Sequence, residues 1–449
     1  MSPFNLETCV RPNILSLQPY RCARDDYKDD GTNILLDANE NAYGPALALD
    51  QDGRALNGTA NGASHDAKQL EVDLLGLNRY PDPHQNELKQ LLCNLRNTHH
   101  HTTQSIDPSN LFVGVGSDEA IDSLMRCFCR PGHDKILTCP PTYGMYAVSA
   151  VVNDVSTVPV PLDTTKQDFP IRPSAINAAL SQDPSIKLVY ICSPGNPTSA
   201  LVSKSDVQQI LEHPTWNGIV VLDEAYIDFA PQGSSLAEWV AEWPNLVVMQ
   251  TLSKAFGLAG IRLGAAFASP PVARLLNNLK APYNISSPTS ALATAALTPP
   301  NLDVMRKNLG SIIAQRERLV SELPKVPGIG RFRGGRAANF LLVEILDSPV
   351  PATDRGIEGR KGEPSNEIAL AVYEGLAETK GVVVRFRGKE MGCLGCLRIT
   401  VGTEKEVDRF LKELRLVLDE TYQRKRSNGS EKGQREEILS EKKANDVLA

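Results

Sequence analysis

The 449-residue sequence lacks the features of proteins that enter membranes or bind nucleic acid. No apolar run reaches the roughly 20 residues that a membrane span needs. The 47 Lys and Arg residues are outnumbered by 53 Asp and Glu residues, so the formal net charge is −6. The chain therefore has no overall positive field to attract nucleic acid or an anionic membrane, and we expect neither as a partner.

Cysteine and histidine are too scattered to predict a disulfide framework or a metal site. The nine cysteines are an odd number spread over the whole chain, and no N-terminal apolar signal segment is present, so we expect a reducing, cytoplasmic compartment. Cys393 and Cys396 in CLGC have metal-ligand spacing, but no second pair or nearby histidine completes a zinc site. We interpret these thiols as incidental and the polar run His99 to His101 as a solvated turn.

What the sequence does contain is an alternation of short β-branched runs and helical patterns, from about residue 107 to 270. This alternation is typical of βαβ units around a mainly parallel sheet. Ser117 is placed at the start of a helix, because the residues after it have the spacing of one buried helix face: Ile121, Leu124, Met125 and Phe128. Seven runs are strand candidates: NLFVGVG, DKILTC, VSTVPV, IKLVYIC, GIVVLDE, NLVVMQ and GAAFAS. The sequence thus predicts an α/β fold with a mainly parallel seven-stranded sheet in its large domain.

After residue 300 the pattern changes to that of a smaller α+β domain. Helices are predicted at about 303–323 and 366–379, followed by an amphipathic helix around 407–418, with strands in NFLLVEI, GVVVRF and CLRITVG. We predict four parts: an N-terminal arm that contributes to the small domain and covers the site (1–70), a large domain (71–300), a small C-terminal domain (301–422) and a disordered tail (423–449). Loop insertions are expected at 50–66, at the histidine-rich loop and at 347–365.

Lys254 stands in an unusual setting, the segment TLSKAFGLAGIRLG. Ala255, Phe256 and Leu258 surround it, whereas a surface lysine normally has polar neighbours and extends into water. A lysine held in apolar surroundings loses the solvation of its ammonium group, so its pKa falls and its amine becomes able to attack a carbonyl or carry a proton. A lysine that extends outward from the start of a helix is the competing interpretation of this segment.

Two predicted strands end in polar residues that suit a ring-shaped cofactor. Asp223 ends GIVVLDE, and ligands of α/β proteins bind beyond the carboxyl ends of parallel strands. An aspartate there can pair with a pyridine nitrogen, an interaction of about 4 kcal/mol at 4 Å and an effective dielectric constant of about 20. A helix N-cap is the alternative role. Asn196, in LVYICSPGNPTSA, either directs its amide toward a ring oxygen or is a simple turn residue.

A phosphate site is predicted in the loop GVGSDEAID, where free backbone N–H groups at a helix start and the Ser117 hydroxyl can hold an anion. Thr251, Ser253 and Arg262 add two hydroxyls and a guanidinium. Tyr143, in PPTYGMY, follows another strand and has a ring that can stack on a flat ligand. Together these groups predict the cofactor pyridoxal 5′-phosphate, which needs a lysine, a carboxylate, ring-oxygen donors, a stacking tyrosine and a phosphate site.

With these residues identified, the sequence closely resembles the fold-type I enzymes that depend on pyridoxal phosphate, the aspartate aminotransferase superfamily, and within it the family that acts on histidinol phosphate. The resemblance extends from about residue 19 to about 420. Its most specific motifs are LDANENAYGP (36–45), NRYPDP (78–83), SPGNPT, DEAYIDF, TLSKAFGLAGIRLG and GCLRITVGT. The resemblance implies the fold-type I architecture, a large α/β domain with a smaller α+β domain, and a homodimer.

The same resemblance implies a role for each matching residue. Lys254 would bind the cofactor covalently and carry the proton between substrate and cofactor, and Asp223 would pair with the pyridine nitrogen. Asn196 and Tyr226 would hydrogen-bond the ring oxygen, and Tyr143 would stack on the ring. The cofactor phosphate would be held by Ser117, the backbone of Asp118, Thr251, Ser253, Arg262 and, from the neighbouring subunit, Tyr80.

Substrate binding is expected at a separate set of residues. Arg385 and Arg398 would bind the anionic end of either substrate, because a planar guanidinium suits both phosphate and carboxylate. Tyr20, Asn39 and Glu40 would cover the imidazole end. The expected reaction transfers an amino group between histidinol phosphate and 2-oxoglutarate, giving imidazole-acetol phosphate and glutamate, a step of histidine biosynthesis.

Alternatives to this reaction remain open. An aromatic or aspartate aminotransferase and a phosphothreonine decarboxylase would share the same fold. A cofactor-binding regulator with a degenerate aminotransferase domain is disfavoured, because Lys254 is intact and no basic helix-turn-helix segment is found at the N-terminus.

Overall fold

The structure, a computed structural model, describes residues 6–18, 22–27, 31–48, 75–350 and 362–446. Tyr20, the predicted insertion at 50–66 and residues 351–361 of the predicted insertion at 347–365 lie outside the described residues. The strands of the described part are β1 (Ile34–Leu35), β2 (Leu111–Val115), β3 (Lys135–Thr138), β4 (Ser156–Pro159), β5 (Ile186–Cys192), β6 (Ile219–Asp223), β7 (Leu246–Thr251), β8 (Leu263–Ala268), β9 (Ile329–Arg333), β10 (Phe340–Ile345), β11 (Val382–Val383), β12 (Arg385–Phe386) and β13 (Cys396–Thr400).

The helices surround these strands and agree closely with the periodic segments of the sequence. They are α1 (Leu6–Cys9), α2 (Pro12–Leu15), α3 (Ala23–Asp26), α4 (Asn86–Arg96), α5 (Gly116–Phe128), α6 (Met145–Val152), α7 (Pro173–Gln182), α8 (Lys204–Leu211), α9 (Pro270–Leu279), α10 (Ser287–Ala296), α11 (Pro299–Glu322), α12 (Asn366–Lys380) and α13 (Glu404–Asp446). None of these described helices is both long enough and apolar enough to cross a membrane.

The large sheet has seven strands in the order β2-β8-β7-β6-β5-β3-β4. The strands β3 to β7 pair in parallel, and β8 is antiparallel to both of its neighbours, β2 and β7. All seven strand candidates of the sequence are found here, so the prediction of a mainly parallel seven-stranded sheet is confirmed.

Both faces of this sheet are covered by apolar side chains. Successive residues of a strand point to opposite faces, and Val221 and Leu222 of β6 accordingly belong to two different buried clusters. The same holds for Val247 and Val248 of β7. Because neither face of the central strands meets water, these strands are continuous apolar runs rather than alternating ones, and their polar ends are the positions left free for a ligand.

The second sheet is antiparallel, with four strands in the order β12-β13-β10-β9. Its inner strand β13 pairs with both β10 and β12, and Arg385 lies directly opposite Arg398 in this register. The two-residue strand β1 pairs in parallel with β11, so the N-terminal segment is fixed against the C-terminal part of the chain.

The C-terminal helix α13 extends from Glu404 through Asp446. Its first part is packed, with Phe410, Leu414 and Tyr422 buried. Beyond that point the sequence is rich in Glu, Lys, Arg and Gln, which have high intrinsic helix propensity. The disordered tail from Gln423 onward stays a prediction.

Candidate active site

The carboxyl ends of the parallel strands open into a cavity of about 710 Å³. Of the sixteen residues that the sequence predicts for the site, fourteen line this cavity: Asn39, Glu40, Ser117, Asp118, Tyr143, Asn196, Asp223, Tyr226, Thr251, Ser253, Lys254, Arg262, Arg385 and Arg398. One side is formed by the strand ends of the large sheet. The other is formed by residues 37–40 and by β12, β13 and the turn that joins them.

Lys254 follows β7 and extends into the cavity. Its Nζ donates a 3.0 Å hydrogen bond to the carbonyl oxygen of Ala38 and lies 5.9 Å from the ring centre of Tyr226. Burial, assisted by the positive charge of Arg398, lowers the pKa of Lys254 to about 8. A substantial fraction of the amine is therefore neutral near pH 8, which is the form that attacks a carbonyl. The structure favours the confined lysine over one that extends into water.

Asp223 is the last residue of β6 and is almost completely buried. Its Oδ2 accepts a 2.7 Å hydrogen bond from the hydroxyl of Tyr146, and its Oδ1 accepts one of 3.1 Å from the backbone N–H of Ala225. Burial raises the pKa of Asp223 to about 6, and the hydrogen bond from Tyr146 opposes that increase. The carboxylate thus stabilises the turn after its strand and also faces the cavity, but it is not the N-cap of a helix, because the next helical turn (Ile227–Phe229) has Tyr226 at that position.

Asn196 and Tyr226 are tied to residues from distant parts of the chain. The side-chain oxygen of Asn196 accepts a 2.7 Å hydrogen bond from Nη1 of Arg398. The hydroxyl of Tyr226 accepts a 2.9 Å bond from the side-chain amide of Asn39, and burial raises the pKa of Tyr226 to about 12. The tyrosine is therefore protonated at neutral pH, and its O–H remains a donor available to an oxygen in the cavity.

The start of α5 forms a narrow cradle beside Arg262. Gly116 adopts a positive φ of +70°, and a Cβ added there would lie 2.6 Å from Nη2 of Arg262. Only glycine leaves this space open while the backbone N–H groups of the first helical turn point toward the cavity. Arg262 Nη2 lies 3.2 Å from a carboxylate oxygen of Asp118, which is the anion that it contacts in this structure.

Thr251, Ser253 and Tyr143 complete this end of the cavity. The Thr251 hydroxyl lies 2.9 Å from the Ser253 hydroxyl and 3.0 Å from the carbonyl oxygen of Leu263. The hydroxyl of Tyr143 donates a 3.2 Å hydrogen bond to Asp118, and its ring meets the ring of Tyr146 edge-on at 5.6 Å. Hydroxyls and a guanidinium, groups that a phosphate requires, therefore line the same cavity.

Arg398 and Arg385 lie on the opposite side of the cavity. Arg398 is buried, donates from Nη2 to the carbonyl oxygen of Asp37, and has a buried Nε for which the described residues offer no acceptor. Burial lowers the pKa of Arg398, although a guanidinium keeps its charge at neutral pH. Arg385 Nη1 donates a 2.6 Å hydrogen bond to Oδ2 of Asp26 on α3.

Of the predicted site residues that the structure describes, Tyr80 is not brought to this cavity. Tyr80 is 81% exposed and stacks on Tyr283 with ring centres 4.5 Å apart, away from the other site residues of its own chain. Tyr20 lies outside the described residues. The predicted contact of Tyr80 with a second subunit stays a prediction.

The segments that were set aside as incidental lie elsewhere. The backbone N–H groups of His99 and His101 each donate a 2.7 Å hydrogen bond to the carboxylate of Glu238, which stabilises the polar loop. Cys393 and Cys396 are fully buried and pack against Phe169.

Sequence reasoning missed several residues that shape the site. Tyr146 holds Asp223, Asp26 holds Arg385, and the pair Arg387 and Glu390 lines the cavity next to Arg385. Tyr146 had one detectable signal, its position three residues after Tyr143, because a helical turn places such residues on the same face. The contact between Arg385 and Asp26 spans 359 positions and left no local pattern.

The cavity fits pyridoxal phosphate. It offers a lysine with a lowered pKa, a buried carboxylate at a strand end and a glycine cradle beside an arginine. A buried guanidinium N–H of Arg398 remains without an acceptor among the described residues. These groups match, in order, an aldehyde, a ring nitrogen, a phosphate and an anionic substrate end.

Comparison with known proteins gives consistent results. The sequence model of the family described as aminotransferase class I and II matches residues 36–414. The histidinol-phosphate aminotransferase of Schizosaccharomyces pombe is 51% identical over 422 residues, which cover 94% of this chain and 100% of that protein. The corresponding protein of Saccharomyces cerevisiae is 42% identical, with coverage of 92% and 98%.

Among solved structures, the histidinol-phosphate aminotransferase of Sinorhizobium meliloti in complex with pyridoxal-5′-phosphate has a similar fold. The TM-score is 0.71 at 22% identity, and the alignment covers 92% of this chain and 98% of that one. The fold-type I architecture predicted from the sequence is confirmed.

Proposed function

The chain belongs to the aminotransferase class I and II family, and from this membership we propose that it is a histidinol-phosphate aminotransferase that uses pyridoxal 5′-phosphate. It transfers an amino group between histidinol phosphate and 2-oxoglutarate, giving imidazole-acetol phosphate and glutamate in histidine biosynthesis. The observation that carries the proposal is the meeting of Lys254 and Asp223 with Arg385 and Arg398 in one cavity, since these groups suit an amine, a ring nitrogen and an anionic substrate end.

Lys254 is the residue that bonds to the cofactor and moves the proton. When bound, pyridoxal phosphate supplies an aldehyde that amines can attach to and a ring that withdraws electrons from the substrate's α-carbon. The lowered pKa of Lys254 means that its amine accepts a proton from the α-carbon and gives it up again near neutral pH. The carbonyl of Ala38, 3.0 Å from Nζ, orients the amine within the cavity.

Asp223 holds the positive charge at the ring nitrogen. Above about pH 6 the carboxylate is ionised, and its burial strengthens its attraction for a cation. Tyr146 orients the carboxylate, and Asn196 and Tyr226 would bind the ring oxygen. Tyr143 stacks on the ring.

The remaining cofactor contact is the phosphate. Ser117, Thr251 and Ser253 donate hydroxyls, the backbone of Asp118 donates an N–H, and Arg262 provides the guanidinium. For Arg262 to bind the phosphate, it must exchange its present contact with the carboxylate of Asp118. That exchange is favourable because a phosphate offers more acceptor oxygens in the bidentate geometry of arginine.

Arg385 and Arg398 bind the substrate's anionic end, and Asn39 and Glu40 cover its imidazole. The active unit in this proposal is a cytoplasmic homodimer, in which Tyr80 and Tyr20 complete the cofactor and substrate sites. Support for the dimer comes from the large exposed area of Tyr80, whose apolar ring a second copy would cover. Support for a reducing compartment comes from the nine cysteines, all of which are free.

The test is an absorbance titration of the cofactor-loaded protein with histidinol phosphate. We expect the visible band of the bound cofactor to convert to the near-ultraviolet band of its aminated form, and 2-oxoglutarate to restore it. Lys254→Ala abolishes the conversion. Lys89→Met is a matched control that retains it, because Lys89 is also buried with a pKa lowered to about 8 but does not line this cavity.

The same titration separates the alternatives. If only aromatic amino acids or aspartate convert the absorbance band, the fold assignment holds and the assignment of histidinol phosphate as the substrate is wrong. Release of carbon dioxide from phosphothreonine would indicate the decarboxylase.

A further inference from the structure

A third arginine lines the cavity beside the two that the sequence singled out. Arg387 follows β12, and its backbone N–H donates a 2.9 Å hydrogen bond to the carbonyl oxygen of Cys396, which continues the pairing with β13. Residues two apart on an extended strand point to the same side, so Arg387 lies on the same side as Arg385. Both residues line the cavity.

The guanidinium of Arg387 is only partly used by the protein. Its Nη1 donates a 2.7 Å hydrogen bond to Oε1 of Glu390, three residues further along the turn. Its Nε is buried, and the described residues offer no acceptor for it. The side chains of this pair are 24% and 28% exposed, so the contact borders solvent and the cavity. Ion pairs of this kind are weak and exchange readily with another anion.

The third arginine on this side of the cavity favours an anion with more than one negative charge. Arg385, Arg387 and Arg398 provide three positive charges, and Asp26 and Glu390 are the carboxylates paired with the first two, so an anion that displaces Glu390 gains one further guanidinium. A phosphate monoester carries a charge of about −1.5 to −2 at pH 7, whereas a carboxylate carries −1. A phosphate therefore gains more from a further guanidinium than glutamate or 2-oxoglutarate does.

We propose that Arg387 is a third anion-binding residue. Its guanidinium breaks its contact with Glu390, binds the phosphate group of the substrate and thereby determines the preference for phosphate over carboxylate. The inference rests on the proposed function. A contrasting role is a purely structural one, in which the pair of Arg387 and Glu390 only fixes the turn between β12 and β13. The two roles predict opposite effects for Glu390, because Glu390 competes with the phosphate in the first and supports the site in the second.

The experiment compares the half-reactions of the cofactor-loaded enzyme with histidinol phosphate and with glutamate. Arg387→Gln is expected to raise KM for histidinol phosphate about 10- to 100-fold, the range for losing a charge-assisted hydrogen bond, with little change in kcat. KM for glutamate should change by less than about threefold. Glu390→Gln is expected to lower KM for histidinol phosphate by about two- to fivefold.

Lys389→Gln is the matched control, because Lys389 is exposed on the same turn and does not line the cavity. It removes the same charge and should leave both KM values within about twofold. If the wild type converts histidinol phosphate, two results would overturn the role of Arg387 alone. The first is an equal change of KM for both substrates in Arg387→Gln, and the second is an increase of KM for histidinol phosphate in Glu390→Gln. A wild type that does not convert histidinol phosphate overturns the proposed function and this inference together.

Discussion

The two sides of the cavity are built differently. The first, which we call the sheet wall, consists of Ser117, Tyr143, Asn196, Asp223, Thr251 and Lys254, at or near the strand ends of the large sheet. The second, which we call the arginine wall, consists of Arg385, Arg387 and Arg398 with Asp26 and Glu390. Lys254 and Asp223 of the sheet wall bond to backbone atoms and a buried hydroxyl, whereas two of the three arginines bond to carboxylates.

This difference separates chemistry from recognition. Asp223 is held on both carboxylate oxygens, by Tyr146 and by the backbone of Ala225, so its position is fixed before any ligand arrives. Such fixed groups are what a reaction centre needs, because they do not have to reorganise during the reaction. Arg385 and Arg387 are paired with Asp26 and Glu390, and an incoming anion can replace those partners. The sheet wall should therefore tolerate few changes, and the arginine wall should change affinity in either direction.

The strongest test of the sheet wall is Tyr146→Phe. The Tyr146 hydroxyl opposes the increase in the pKa of Asp223 that burial causes. Without this hydroxyl the pKa of Asp223 rises further above about 6, and the carboxylate ionises only at higher pH. A lost hydrogen bond to a charged group corresponds to roughly one to two pKa units. Affinity for pyridoxal phosphate at pH 6 to 7 should then fall about 10- to 100-fold. Carboxyl NMR of the cofactor-free protein and equilibrium binding of the cofactor measure the two effects.

Tyr190→Phe is the matched control for this change. Tyr190 is equally buried and stacks on Tyr146 with ring centres 4.8 Å apart, but its hydroxyl donates to the carbonyl oxygen of Ile121. We expect no shift in the pKa of Asp223 in this variant. Equal effects of the two substitutions would show that packing, not the hydrogen bond, fixes the carboxylate.

A smaller and opposite effect is expected on the arginine wall. Asp26→Asn removes the charge that pairs with Arg385, so the guanidinium becomes more available to a substrate anion. Because such a pair contributes only about 0 to 1 kcal/mol, KM for histidinol phosphate and for glutamate should each decrease by no more than about fivefold. Steady-state kinetics measure both values. Asp25→Asn is the control, since exposed Asp25 accepts from the backbone N–H of Cys22. A higher KM in Asp26→Asn would mean that Asp26 positions Arg385 productively.

The sheet wall could be predicted from the sequence, because each of its members follows an apolar run. Parallel strands that end at the same edge bring Asn196, Asp223 and Thr251 together without any knowledge of packing. Lys254 was recognisable from its apolar neighbours. The central strands of the large sheet were equally visible, since β5, β6 and β7 are largely buried on both faces and therefore consist mainly of apolar, β-branched residues.

The arginine wall was only partly predictable. Arg385 and Arg398 emerged from a resemblance, and nothing local indicated that Asp26, 359 positions away, contacts Arg385. Strand β9 (Ile329–Arg333) was also missed, because IGRFR has charged residues and glycine in place of an apolar run. Contacts between distant segments depend on tertiary packing, which periodicity does not record.

The most direct test of this account is the pH dependence of cofactor capture by the cofactor-free protein. Pyridoxal phosphate is added between pH 6 and pH 10, the adduct is trapped with borohydride, and the labelled residue is identified by mass spectrometry. We predict that Lys254 is labelled, that the rate rises up to about pH 8 and then levels off, and that Lys89, with a similarly lowered pKa, is not labelled. Labelling of Lys89, or a rate at Lys254 that continues to rise toward pH 10, would contradict the account.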